Sequence, residues 1–78
     1  MTEKRIAQRR RILKAGFIET SGGINCFVRN ISETGASIEV STPLFIPDRF
    51  TLHIPSDQLS RRCHIVWRNG KRFGLAFE

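Results

Sequence analysis

Apolar side chains recur at every second position along most of this chain, in short bursts. Ile24, Cys26 and Val28 form one set, Ala36, Ile38 and Val40 another, and Phe73, Leu75 and Phe77 a third. A period of two places such residues on one face of an extended strand and their neighbours on the other. Turn signals separate the bursts: Ser21-Gly22-Gly23, Asn30 to Gly35, Pro43 and Pro47, Pro55, and Asn69-Gly70. The strands so predicted are Phe17–Thr20, Ile24–Arg29, Ala36–Val40, Phe50–Ile54, Arg61–Trp67 and Arg72–Phe77. Cys63, Ile65 and Trp67 share the inward face of the fifth, which makes Trp67 a core residue. Asn69-Gly70 is the strongest hairpin signal. No amphipathic helix follows residue 14. Five or six short strands in 78 residues imply one all-β domain, a small antiparallel barrel or sandwich. A barrel suits so short a chain because closure removes sheet edges.

Charge is unevenly distributed. Of 13 basic residues, six fall in residues 1–14 (Lys4, Arg5, Arg9, Arg10, Arg11 and Lys14) against one acid, Glu3. Residues 15–78 are close to neutral. The division expected is a flexible arginine-rich leader, residues 1–14, ahead of a barrel, residues 15–78. Composition alone admits two readings of the leader: a solvated tail, or the contact for an anionic partner such as phosphate, nucleic acid or a lipid head group.

Several function classes drop out. No apolar run approaches the roughly 20 residues of a membrane helix, and the charged start Met1-Thr2-Glu3-Lys4-Arg5 does not resemble a secretory signal. A cytoplasmic location is expected. Two cysteines without CxxC spacing, Cys26 and Cys63, read as buried reduced thiols, and no metal site is expected. His53 and His64 alternate with apolar neighbours and read as outward strand positions. No nucleophile–base–acid set and no phosphate-binding loop is present, so an enzyme is not expected.

Two segments carry chemistry. Arg5-Ile6-Ala7-Gln8-Arg9 is an RxxxR pattern with Arg10 behind it. Guanidinium groups grip phosphate oxygens in pairs, match the O6 and N7 acceptors of guanine, and stack on rings. Asn30-Ile31-Ser32-Glu33-Thr34-Gly35 is an NxSxxG turn between two strands. Read alone it is a plain turn, with Asn30 and Ser32 bonding local backbone and Gly35 supplying a positive φ. It also offers two short polar groups to a ligand.

Together, Arg5xxxArg9 and, some twenty residues later, Asn30xSer32xxGly35 resemble the PilZ domain, a bacterial receptor for cyclic di-GMP. The ending Ile65-Val66-Trp67-Arg68 and Phe73-Gly74-Leu75-Ala76-Phe77 is similar too, so the likeness covers essentially the whole chain. It implies a six-stranded antiparallel β-barrel, without the C-terminal helix many members carry, since Glu78 directly follows the last strand. It implies that Arg5 and Arg9, with Arg10 as helper, clamp guanine and phosphate, and that Asn30, Ser32 and Gly35 bind from the barrel. Asn30 stands where many members have Asp. The implied role is non-enzymatic: the ligand orders the leader, and a downstream protein effector reads the new surface. A degenerate adaptor without nucleotide, or a small nucleic-acid-binding barrel, would be the alternatives; the shortage of outward aromatics speaks against the latter.

Overall fold

The structure is a computed structural model and describes residues 13–78. Six strands run β1 Lys14–Ile18, β2 Ile24–Ile31, β3 Gly35–Val40, β4 Arg49–Ile54, β5 Leu59–Asn69 and β6 Arg72–Phe77, with one 3-10 turn, Pro55–Asp57, between β4 and β5. They close into an antiparallel barrel in the order β1-β2-β3-β6-β5-β4. No α-helix occurs among the described residues.

The alternating residues build the core. Ile18, Val28, Ile38, Val40, Phe50, Leu52, Ile54, Cys63, Phe73 and Leu75 are all buried inside the barrel. Each large aliphatic or aromatic side chain removed from water contributes about 1.5–3 kcal/mol, offset by the ordering of the chain. Ile46, from the long connection between β3 and β4, is also buried and joins the same cluster.

The strands are longer than apolar alternation alone indicates. β1 begins at Lys14, three residues before Phe17, because its pairing with β2 (Lys14 with Val28, Gly16 with Cys26) uses backbone groups and needs no apolar side chain. β5 begins at Leu59 and continues to Asn69, which pairs with Arg72. The hairpin loop is therefore Gly70-Lys71, one residue later than the Asn-Gly signal suggests, with Gly70 taking the positive φ of 62°. Three of the six phenylalanines face outward or lie in loops: Phe17 stacks on His53 at 4.7 Å, and Phe27 and Phe45 are exposed. Outward aromatics are thus more numerous than expected.

The barrel has two distinct ends. One carries the start of β1, the turn between β2 and β3, and the 3-10 turn; Lys14 Nζ ties β1 to Asp57 there at 2.8 Å. The other carries the Thr20–Gly23 turn, the connection 41–48 and the Gly70-Lys71 hairpin. Both histidines face outward as expected. His53 lies between Glu19 Oε1 (2.7 Å) and Ser60 Oγ (2.8 Å), and His64 Nδ1 is 3.1 Å from Glu78 Oε2.

Cys26 and Cys63 are free and buried. Burial pushes each thiol up to about 11, and Cys63 adds to the shift at Cys26 as Glu78 does at Cys63. In the unfolded chain both ionise near 9.0. Above that pH the unfolded state binds fewer protons than the folded state, so stability falls as pH rises from 9 toward 11. The slope approaches about 1.4 kcal/mol per pH unit for each thiol. The chain has no tyrosine to confuse that window. Urea midpoints measured on either side of it should therefore fall more in the wild type than in Cys26→Ala/Cys63→Ala; equal falls would contradict the burial of the thiols.

Candidate functional site

Strict alternation from Cys26 and Val28 would point Asn30 into the core. It does not, because β2 carries a bulge. Val28 pairs with Ile38, and the next pairing is Asn30 with Ser37, so Arg29 is an extra residue. An inserted residue reverses the inside–outside phase downstream. Asn30 is exposed on the outer face, and Ile31 turns toward the core opposite Ala36.

β5 does the same on the other side of the site. Ile65 pairs with Leu75 and Trp67 with Gly74, leaving Val66 as the extra residue. Trp67 is therefore not a core residue, contrary to the expectation from its alternation with Cys63 and Ile65. It lies on the outer face, 46% exposed. The indole packs over Gly74: a Cβ there would collide with Nε1, Cε2 and Cδ1 of Trp67. Glycine on β6 is what lets the ring lie down against the sheet.

The two bulges bring four residues into one row across four strands. Asn30 pairs with Ser37, Ser37 with Gly74, and Gly74 with Trp67. Three interstrand spacings make the row about 14 Å long. Above it sits the turn Ser32–Gly35. An open groove of about 360 Å³ runs here, lined by Asn30, Ser32, Thr34, Gly35, Ala36, Ser37, Val66, Trp67, Gly74 and Leu75. The structure thus unites the three barrel positions of the NxSxxG motif and adds Ser37, Trp67 and Gly74. No sequence signal marked those three as a site, because the second bulge is silent in the apolar pattern.

Ser32 holds the turn. Its N–H donates to the Gly35 carbonyl at 2.8 Å, and its Oγ accepts from the Thr34 N–H at 3.3 Å. Gly35 plays a different part from the one expected. Its φ is not positive; the glycines with positive φ are Gly23 and Gly70. It is required by close approach, since a Cβ would run into the Leu75 carbonyl oxygen. Asn30 was expected to bond local backbone as well. Among the described residues its amide makes no hydrogen bond, which leaves one acceptor and two donors facing the groove.

Among the described residues no ionisable side chain lines the groove. The arginines that neighbour the row in sequence are engaged: Arg29, next to Asn30, donates from Nη1 to Glu39 Oε1 at 2.9 Å, and Arg68, next to Trp67, donates from Nη2 to Asp48 Oδ1 at 2.8 Å. The groove offers shape, an indole face and neutral polar groups, and any charge toward an anion comes from elsewhere. Arg5, Arg9 and Arg10 lie outside the described residues. Among the described residues no His, Cys, Asp or Glu cluster could hold a metal ion, and no helix is long and apolar enough to cross a membrane.

The PilZ domain family model matches residues 3–78, almost the entire chain. The chain belongs to the PilZ domain family. PilZ domains are binding domains, generally not enzymes, and form a family of cyclic di-GMP receptors. The six-stranded barrel agrees with that membership. No curated protein and no solved structure matched the chain.

Gly74→Ala should displace the indole from the sheet. Trp67 is the sole tryptophan, so its emission should shift to the red and its anisotropy fall while the far-ultraviolet dichroism of the barrel persists. Unchanged emission would mean that the ring does not rest on Gly74.

Proposed function

We propose that this chain is a non-enzymatic receptor for cyclic di-GMP, with the groove between the two bulges as its barrel-side half-site. The observation that carries the proposal is the row Asn30–Ser37–Gly74–Trp67, which sets an amide without a partner among the described residues and an exposed indole face across one groove that those residues line with no ionisable side chain. A guanine base suits such a groove: its flat face stacks on Trp67 and its edge meets the Asn30 amide. The Ser32 hydroxyl, held at the turn, presents to a phosphate or ribose oxygen. Gly35 keeps the turn pressed on β6, which holds Ser32 over the groove.

The ligand's two phosphates need cations that the groove lacks. Arg5, Arg9 and Arg10 supply them. Reach supports the assignment. β1 starts at Lys14 opposite Val28, two residues before Asn30, and the five residue steps from Arg9 to Lys14 span at most about 17 Å. Arg9 can therefore come over the groove, and Arg5 has reach to spare. In this reading Arg5 and Arg9 grip guanine and phosphate, Arg10 assists, and the leader becomes ordered only around the ligand. A downstream protein partner would read the combined surface of leader and barrel. The compartment assigned is the bacterial cytoplasm, in keeping with two unpaired thiols.

Calorimetric titration of the intact chain with cyclic di-GMP should show saturable binding, with GTP and cyclic GMP inert. Arg9→Ala should weaken binding at least about 10-fold, since a charge-assisted hydrogen bond contributes about 1.5–3 kcal/mol. Asn30→Ala should weaken it by less, because a neutral hydrogen bond contributes about 0.5–1.5 kcal/mol. The folding midpoint of Asn30→Ala should stay put, as the amide is exposed and without partners in the barrel. Flat heats with all three nucleotides would overturn the assignment.

A further inference from the structure

A second groove, of about 520 Å³, crosses the outer face of β1, β2 and β3. Ala15 and Phe27, cross-strand partners, stand on it, and Phe27 is 57% exposed. Asn25, Ser41 and Lys71 also line it. Glu39 also lines it but is engaged by Arg29 and Arg72. This volume falls in the range of sites that enclose a small, largely apolar group.

A projection of matching character lies close by. Between Pro43 and Pro47 the chain turns at Phe45, whose φ is 61°. An aromatic residue in the left-handed region is strained, and such strain persists only where the surroundings impose it. Here Ile46 is anchored in the core while Leu44 and Phe45 point out, Phe45 being 93% exposed. The tip thus presents a benzyl and an isobutyl group to water on a backbone held against its preference. Phe45 lies four residue steps after Ser41, which is on the groove, a span of at most about 14 Å. Projection and groove therefore share one region of the surface. Phe45 does not fill the groove of its own chain, since it is almost fully exposed.

We propose that two copies of this chain pair about a two-fold axis, each inserting Leu44 and Phe45 into the β1–β2–β3 groove of the other. A two-fold contact requires one patch that complements itself, and a projection beside a groove is such a patch. Charges agree: Asp48 follows the projection, largely exposed and bonded to Arg68 at 2.8 Å, and would approach Lys71 in the partner's groove. Each buried aromatic contributes roughly 150–250 Å², which puts the contact at the low end of interface sizes and makes the dimer weak and concentration-dependent. The pairing does not depend on the nucleotide and uses none of the residues of the Asn30–Trp67 groove.

Sedimentation velocity of the full chain without ligand tests the pairing. From about 10 μM to about 500 μM, where a low-area contact populates, the mass should rise from 8.9 kDa toward twice that value. Phe45→Asn should stay monomeric throughout. Its thermal midpoint should hold or rise, because asparagine tolerates the left-handed conformation, so loss of pairing would not reflect unfolding. Ala15→Glu, which sets a charge in the groove, should also be monomeric. Mixing the two variants restores one intact projection–groove contact and should give a heavier species than either alone. A wild type that stays monomeric at every concentration would overturn the proposal. So would a dimer indifferent to Phe45→Asn. Monomers that bind phosphatidylglycerol vesicles through Phe45 would also overturn it, and would assign the tip to a lipid surface.

Discussion

Two inserted residues, Arg29 in β2 and Val66 in β5, determine what the outer face of this barrel displays. Unbroken pairing would send Asn30 inward, where an amide without partners would cost about 1–3 kcal/mol. It would also send Trp67 into a core already occupied by Phe50, Phe73 and Leu75. Overpacking by a side chain of that size is destabilising as well. Each bulge removes one of these conflicts and, in doing so, turns a polar and an aromatic side chain to the same stretch of surface. The site is thus a by-product of how a small core excludes what does not fit, and Gly74 completes it by letting the indole lie flat.

In the proposed function, the groove and the leader would divide the recognition of an anionic nucleotide between them. The barrel contributes shape, hydrogen-bonding groups and a ring face. Its own charges near the sheet are mostly satisfied in pairs, such as Arg29 with Glu39, Arg68 with Asp48 and Lys14 with Asp57. Such exposed pairs contribute little to stability, but they leave the groove electrically neutral. In that reading, phosphate recognition would fall to Arg5, Arg9 and Arg10. Such a division would make ligand binding depend on both halves.

Much of the architecture was legible in the residues. Period-two alternation located β2 to β6, while the first expected strand, Phe17–Thr20, overlaps β1 only at Phe17 and Ile18, and the buried sets Ile38/Val40, Leu52/Ile54 and Phe73/Leu75 are those it marked. It failed at Trp67, where pairing is not regular, and it ended β2 before Asn30, which continues the strand. Trp67 and Asn30 both lie just past a bulge, and a bulge leaves no trace in an apolar pattern, because Arg29 and Val66 are ordinary strand residues. Asn30, Ser32 and Gly35 of the NxSxxG motif line one groove. The motif misassigned the reason for Gly35, whose need is space beside Leu75 and not left-handed backbone. Ser37 and Gly74 were invisible for another reason: they enter the site through cross-strand pairing, which a single strand's sequence does not encode. Phe45 was read only as part of a connection, and its exposure follows from the anchoring of Ile46.

Trp67 offers the most direct test, because one ring reports on one groove. Its fluorescence should be followed while the intact chain is titrated with cyclic di-GMP, in parallel with the heat released. Quenching that saturates together with the heat, and that GTP and cyclic GMP fail to produce, is the predicted result. Saturable heat with unchanged Trp67 emission would contradict it, and would move the ligand away from the groove that the two bulges build.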